Sequence, residues 1–267
     1  MNIRDKVFVV TDGGNGIGRE VVLNLMSKGA SVGAVDISQD GLDETKAHSS
    51  LFATNLSLHK VDISDRAAVE ALVHDVEKYH GVVDGIINVA GIIQPFVRVS
   101  DLDYDRIERV MNVNFYGTLS MVKSFLPSLI QRPQAHILNV SSMGGFIPVP
   151  GQTIYGASKA AVKLLTEGLR SELLETNVGV TIVFPGGVAT DITKNSGADR
   201  KAALPEGSSK MKLITASEAA AIMVDAIEKN KYQVYAGKDS SMLNLMTKFA
   251  PKKAAAVIAD KLKSIIQ

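Results

Sequence analysis

Tyr155 and Lys159 stand four residues apart in the stretch TIYGASKAAVKLL (153–165). The stretch suits a helix, so both side chains leave one face and can interact. A free phenol, with a pKa near ~10, carries protons poorly at neutral pH. An ammonium about 4 Å away favours the phenolate by roughly 4 kcal/mol at an effective dielectric near 20, which brings that pKa down by a few units. Such a tyrosine could give or take a proton. Thirteen residues upstream, Ser142 ends the apolar run HILNVSS (136–142), where its hydroxyl could bond and orient a substrate oxygen. A Tyr-x-x-x-Lys pair on a plain solvated helix does no chemistry, so its meaning depends on its company.

The second chemical feature is VFVVTDGGNGIGREVV (7–22), which reads as a buried strand, a glycine-rich turn and the opening of a helix. Apolar residues at 17, 21, 22 and 25 have helical spacing. In this context a glycine turn brings backbone N–H groups and a helix N-terminus to a dinucleotide's pyrophosphate. The next apolar run, VGAVD, ends in Asp36, eighteen residues past Gly18. A carboxylate there can accept hydrogen bonds from the adenosine ribose hydroxyls, and it repels a 2′-phosphate. Neither Asn15 nor Ile37 offers such a phosphate a positive charge, so NAD is favoured over NADP. The aspartate at position 12 is the anomaly, because negative charge beside the turn opposes a pyrophosphate.

These groups need a frame. Short apolar runs at 6–10, 30–36, 59–63, 83–91, 136–142 and 179–187, with a seventh candidate at 232–237, alternate with helical patterns at 17–28, 65–79, 104–130, 153–176 and 217–229. The alternation predicts an α/β protein: a doubly wound parallel sheet of about seven strands with helices on both faces. The 267 residues, 46% hydrophobic, suit one dinucleotide-binding and catalytic domain over 1–240, with 241–267 as an amphipathic helical extension packed on it. The extension carries lysines at 248, 252, 253, 261 and 263; packing on its own domain or a twin subunit is preferred to contact with a membrane surface. Residues 193–213 are polar and read as either a lid or a surface loop.

With 29 basic and 28 acidic residues the chain has no electrostatic footprint for nucleic acid. The absence of cysteine removes disulfides and thiolate catalysis, and the five histidines form no ligand motif, so no metal is expected. No run approaches the roughly 18 apolar residues of a membrane span, and a cytoplasmic location is the default expectation.

Taken together, the motifs resemble those of the short-chain dehydrogenase/reductase family, with its Rossmann-like fold, over about residues 5 to 240 and in the family's order. The glycine motif Thr-Gly-x-x-x-Gly-x-Gly falls on Thr11, Asp12, Gly16 and Gly18, with Asp12 in place of the first glycine. The resemblance implies cofactor contacts from Thr11, Asn15, Gly16, Ile17 and Gly18. It further implies an adenine site at Asp62 and Ile63 (DI, 62–63) and a cleft lined by Asn88, Ala90 and Gly91 (NVAG, 88–91). It implies that Asn114 in MNVNFYG holds a water of a proton relay, and that Pro185, Gly186, Val188 and Thr190 in PGGVAT lie at the nicotinamide. In such an enzyme Tyr155 exchanges a proton with the substrate oxygen, Ser142 steadies that oxygen, and Lys159 lowers the tyrosine's pKa and bonds the nicotinamide ribose. A homodimer or homotetramer is the family's usual assembly.

The residues expected around the nicotinamide are mostly apolar: Ile92, Ile93, Pro95, Phe96, Phe146, Pro148, Val149 and Pro150, with Gln94 a polar exception. They predict a small hydrophobic alcohol or ketone as substrate. Asp12 is expected to weaken cofactor binding without abolishing it, less so if its carboxylate turns to water. The competing reading, which rests on Asp12 alone, is a nucleotide-sensing or scaffold protein of weak catalysis.

Overall fold

The chain's computed structural model describes residues 1–49, 54–190, 192–197 and 213–261, with only the backbone of Thr193, Lys194 and Lys261. Most of the 193–213 segment therefore lies outside the described residues, as do 262–267 of the C-terminal stretch. Seven strands form one parallel sheet: β1 (Val7–Thr11), β2 (Ser31–Asp36), β3 (Leu56–Lys60), β4 (Gly85–Asn88), β5 (Ala135–Val140), β6 (Val178–Pro185) and, last in the chain, β9 (Gln233–Ala236). Their order is β3-β2-β1-β4-β5-β6-β9, so the topology reverses between β1 and β4. Open α/β sheets bind ligands in the crevice at that switch point. Two short strands, β7 (Val188–Ala189) and β8 (Ile214–Thr215), pair separately.

The strands read as continuous apolar runs because both faces are covered. On one face Phe8, Val10 and Val32 pack with Val21, Val22 and Leu25 of α1 (Gly16–Ser27) and Met223 and Val224 of α8 (Ala216–Glu228). On the other, Val9, Ile86 and Ile137 pack with Leu72 of α3 (Arg66–His80) and Met121 and Phe125 of α5 (Thr118–Ile130). Beyond β9, α9 (Lys238–Phe249) and α10 (Pro251–Lys261) follow, and Ser240 of α9 bonds the Phe184 carbonyl of β6 at 2.8 Å. Among the described residues no helix is long and apolar enough to cross a membrane.

Several boundaries differ from the sequence reading. The third strand is 56–60 rather than 59–63, because the chain turns away at Asp62, whose Oδ1 accepts from Ser64 N (2.9 Å) and Ser64 Oγ (2.7 Å). The expected helix 104–130 is three pieces: α4 (Tyr104–Met111), a π-helical turn (Asn112–Gly117) and α5. Gly117 belongs there because a Cβ would stand 2.7 Å from Ile63 Cδ1. The helix α2 (Gln39–His48) escapes the apolar pattern, since only Leu42 and Thr45 of it are buried; Ser38 Oγ caps it by accepting from Gly41 N at 3.1 Å.

Gly18 shows the closeness of the turn: a Cβ there would lie 2.1 Å from the Asp12 carbonyl oxygen. Gly18→Ala is expected to lower stability by about 1–3 kcal/mol through overpacking and to displace the turn. Thermal unfolding and NADH titration check it; an unchanged melting temperature would refute it.

Candidate active site

The glycine turn is bolted on three sides. Thr11 Oγ1 accepts from Val89 N (3.0 Å) and Ala90 N (3.1 Å), tying the exit of β4 to β1. Asp36 at the end of β2 accepts from Gly14 N (2.9 Å) and Ser38 N (2.9 Å), so one carboxylate holds the turn and the start of α2. Asn15 Oδ1 caps α1 by accepting from Gly16 N at 2.7 Å. Arg19 is engaged behind the turn, donating to the Gly14 carbonyl and to Thr45 Oγ1 (3.0 Å) and pairing with Glu44 (2.6 Å).

Asp12 adopts φ 61°, the left-handed region that aspartate tolerates better than most residues. Its side chain does not turn to bulk water; it stands half-buried on the cleft wall. Burial, and next the charge of Asp36, push its carboxyl up to about 8, against the opposing pull of Lys159. The acid is therefore mostly protonated at neutral pH, and the repulsion expected of a fixed carboxylate is largely removed there.

The catalytic candidates come from two neighbouring elements. Ser142 sits two residues beyond β5, in extended backbone, and its Oγ accepts from Gly144 N at 3.0 Å. Tyr155 lies in the first turn of α6 (Thr153–Glu172) and Lys159 one turn later. Burial raises the Tyr155 phenol above its ordinary value, and the adjoining Ser142 hydroxyl pulls it back down. Lys159 Nζ donates to the Val140 carbonyl at 3.0 Å, and the charge of Asp12 acts on its ammonium. Burial pushes the Lys159 ammonium down to about 8, partly offset by Asp12.

Asn114, on the π-helical turn, is a brace. Its Oδ1 accepts from Ile92 N (2.8 Å) and its Nδ2 donates to the Ile92 carbonyl (2.9 Å) and Ser158 Oγ (2.9 Å). Both amide protons are spent inside the protein, so the expected water-holding role does not rest on this carboxamide's donors. Asn88 acts similarly from behind, donating to Asn139 Oδ1 at 2.8 Å.

Around these groups lies a cleft of about 1180 Å³ at the topological switch point. Of the catalytic and cofactor-binding candidates named from the sequence, all but Thr11, Gly18, Asn88 and Asn114 line it, and those four support its wall from behind. A dinucleotide fits the donor set. Asp36 stands at one end, the Gly14–Gly18 turn and the N-terminus of α1 in the middle, and Tyr155 and Lys159 at the other. Gly91 lets the lysine approach closely: a Cβ there would stand 2.8 Å from Lys159 Nζ and displace the ammonium.

The sequence missed other residues. Asp105, Glu108 and Arg109 of α4 line the cleft beside Asp62, although their spacing reads only as a solvated helical face. Asp239 of α9 accepts from Gly187 N at 2.7 Å and so fixes the loop after β6; nothing local marks it. Of the residues expected around the nicotinamide, Ile92 and Ile93 line the cleft, whereas Gln94, Pro95, Phe96, Phe146, Pro148, Val149 and Pro150 are not part of its lining. Phe146 packs edge-on against Phe184 (5.5 Å) and Tyr235 (5.9 Å) in a small core, and Gln94 is 1% exposed with its carboxamide spent on the protein. Ile92, Ile93, Val188 and Ile192 give the cleft apolar lining. Among the described residues no cluster of three or more potential metal ligands occurs.

Comparison with known proteins agrees with this geometry. The family model described as short chain dehydrogenase matches residues 6–201. SadH of Mycobacterium tuberculosis, assigned as an oxidoreductase, is 32% identical over 260 residues, covering 95% of this chain and 94% of that protein. A short-chain dehydrogenase/reductase from Burkholderia phymatum, solved in complex with NAD, superposes with a TM-score of 0.82 at 25% identity, covering 93% of this chain and 96% of that one. A short-chain dehydrogenase from Burkholderia cenocepacia, solved with NADP, gives 0.81 at 25% identity over 97% and 99% of the two chains.

Proposed function

This chain belongs to the short-chain dehydrogenase family, and from that premise we propose that it is an NAD(H)-dependent oxidoreductase. It moves a hydride between the nicotinamide and the carbon of a hydrophobic secondary alcohol or ketone. The observation that carries the reading is the convergence of Ser142, Tyr155 and Lys159 on one end of a cleft that Asp36 bounds at the other.

Asp36 would hold the adenosine ribose, Asp62 and Ile63 the adenine, the α1 N-terminus the pyrophosphate, and Val188 and Thr190 the nicotinamide amide. When bound, the nicotinamide supplies the two-electron donor or acceptor. The chain's own part is placement and proton handling. Toward reduction, the buried Tyr155 phenol donates its proton to the carbonyl oxygen, and the Ser142 hydroxyl donates a hydrogen bond to the same oxygen. Toward oxidation, the Tyr155 phenolate takes the hydroxyl proton. The apolar Ile92, Ile93, Val188 and Ile192 support an apolar substrate.

Asp36 supports NAD over NADP. Its carboxylate lies at the cleft end where a 2′-phosphate would come, and Arg19, the near cation, is already bonded to Gly14, Thr45 and Glu44. Titration with NADH and NADPH, read by nicotinamide fluorescence, is expected to show NADH binding at least about tenfold tighter, a gap of roughly 1.4 kcal/mol. Asp36→Asn is expected to narrow that gap. Equal affinities in the unmodified chain would refute the NAD assignment.

A further inference from the structure

The helix that carries Tyr155 makes no cap of its own. Gln152 stands at its N-cap position with no side-chain bond to the helix, although exposed or buried N-terminal amides need partners. The partner comes from about 60 residues earlier in the chain. Gln94 Oε1 accepts from Ile154 N at 2.8 Å and Tyr155 N at 3.0 Å. Its Nε2 donates to the Gly151 carbonyl at 3.0 Å, and its main-chain carbonyl accepts from Gln152 Nε2 at 2.7 Å. The carboxamide thus satisfies the turn before α6 and the first amides of α6 together.

The rest of this loop is held as closely. Asn114 takes both main-chain groups of Ile92, and Ser196 Oγ accepts from Ile93 N at 3.0 Å. Residues 92–94 therefore join the exit of β4, the π-helical turn, the segment after α7 (Ile192–Asn195) and the start of α6. A buried carboxamide with partners on both ends fixes distance and rotation, and removing it leaves buried N–H groups unpaired.

Resting on the dehydrogenase reading for its consequence, we propose that Gln94 is a positioning residue: as a distant cap of α6 it sets the Tyr155 phenol against Ser142. It touches neither the cofactor cleft nor the substrate end directly. A displacement of about 1 Å at a reacting group costs up to roughly a hundredfold in rate, so the cap matters beyond its share of stability.

Two substrate-free measurements test this: the ultraviolet titration of Tyr155, taken as the difference from the same protein carrying Tyr155→Phe, and NADH binding by fluorescence. Gln94→Met keeps the length and removes the polar atoms. It is expected to move the Tyr155 step to higher pH, because the phenol leaves the Ser142 hydroxyl that pulls it down, with NADH affinity held within about twofold. Gln94→Asn, one methylene too short to reach the Ile154 and Tyr155 amides, is expected to act in the same direction and replaces the Met variant if that one does not fold. An unmoved Tyr155 step in a folded variant overturns the proposal. A comparable loss of NADH affinity overturns it too, since Gln94 would then be a general prop of the fold. A moved step in a chain that reduces no ketone would contradict the dehydrogenase reading and leave the placement of Tyr155 by Gln94 standing.

Discussion

Tyr155→Phe is expected to lower turnover by roughly 10²–10⁴-fold, the usual worth of a positioned acid–base group, while leaving NADH affinity unchanged. The substitution removes one oxygen from the cleft and keeps the ring against Gly144, where a Cβ would lie 3.2 Å from Tyr155 Cε1. The phenol's environment also fixes the pH dependence. Burial raises its pKa, so the protonated form prevails at neutral pH and serves ketone reduction. The reduction rate is expected to fall as pH rises through the Tyr155 pKa, and the oxidation rate to rise over the same interval. Steady-state rates in both directions check this. A Phe variant with near-native turnover would remove Tyr155 from the chemistry.

The second large effect is at Asp12. A carboxylate about 6 Å from a phosphate charge costs roughly 2–3 kcal/mol at an effective dielectric near 20, or about a hundredfold in affinity. Burial and the charge of Asp36 push the carboxyl up to about 8, so the penalty is absent well below that pH and develops above it. Asp12→Asn keeps a side chain that tolerates φ 61° and removes the charge. The variant is expected to match the unmodified chain in mildly acidic buffer and to bind NADH up to about a hundredfold tighter in alkaline buffer. Lys159 is a counter-effect, because losing the Asp12 charge lets the lysine titrate lower. If that effect dominated, the variant would lose affinity first, which is the opposite order. Folding follows the same titration: a carboxyl raised above its unfolded pKa of 3.8 contributes its full stability below that value, and the contribution is lost as pH rises through about 8. Asp12→Asn is therefore expected to flatten the fall in melting temperature across that window. A pH-independent ratio of affinities would show that the Asp12 carboxyl does not face the bound nucleotide's charge.

Much of this protein was legible locally. The β1, β5 and β6 runs announce themselves because strands covered on both faces have little room for polar residues. The i, i+4 relation of Tyr155 and Lys159 and the spacing from Gly18 to Asp36 are properties of short segments. What stayed hidden depends on contacts between distant parts of the chain. Helix α2 has a polar sequence and is held by Ser38 and by packing over Gly14, whose carbonyl leaves no room for a Cβ at Gly41. Gln94 looks like a pocket residue until the first turn of α6 meets it, and Phe146 until Phe184 and Tyr235 enclose it. Asp12 reads as a fixed charge because sequence records the carboxyl but not the burial or the Asp36 neighbour that keep it protonated.

The most direct test of the account is isotope transfer. The protein is mixed with NADH deuterated at the transferable nicotinamide position and a panel of hydrophobic ketones, and product alcohols are analysed by mass spectrometry. Deuterium on the carbinol carbon of an alcohol formed by the unmodified chain, and formed roughly 10²–10⁴-fold more slowly with Tyr155→Phe, is the predicted result. Micromolar NADH binding with no label in any alcohol would contradict the account and favour a protein that senses the nucleotide without turning it over.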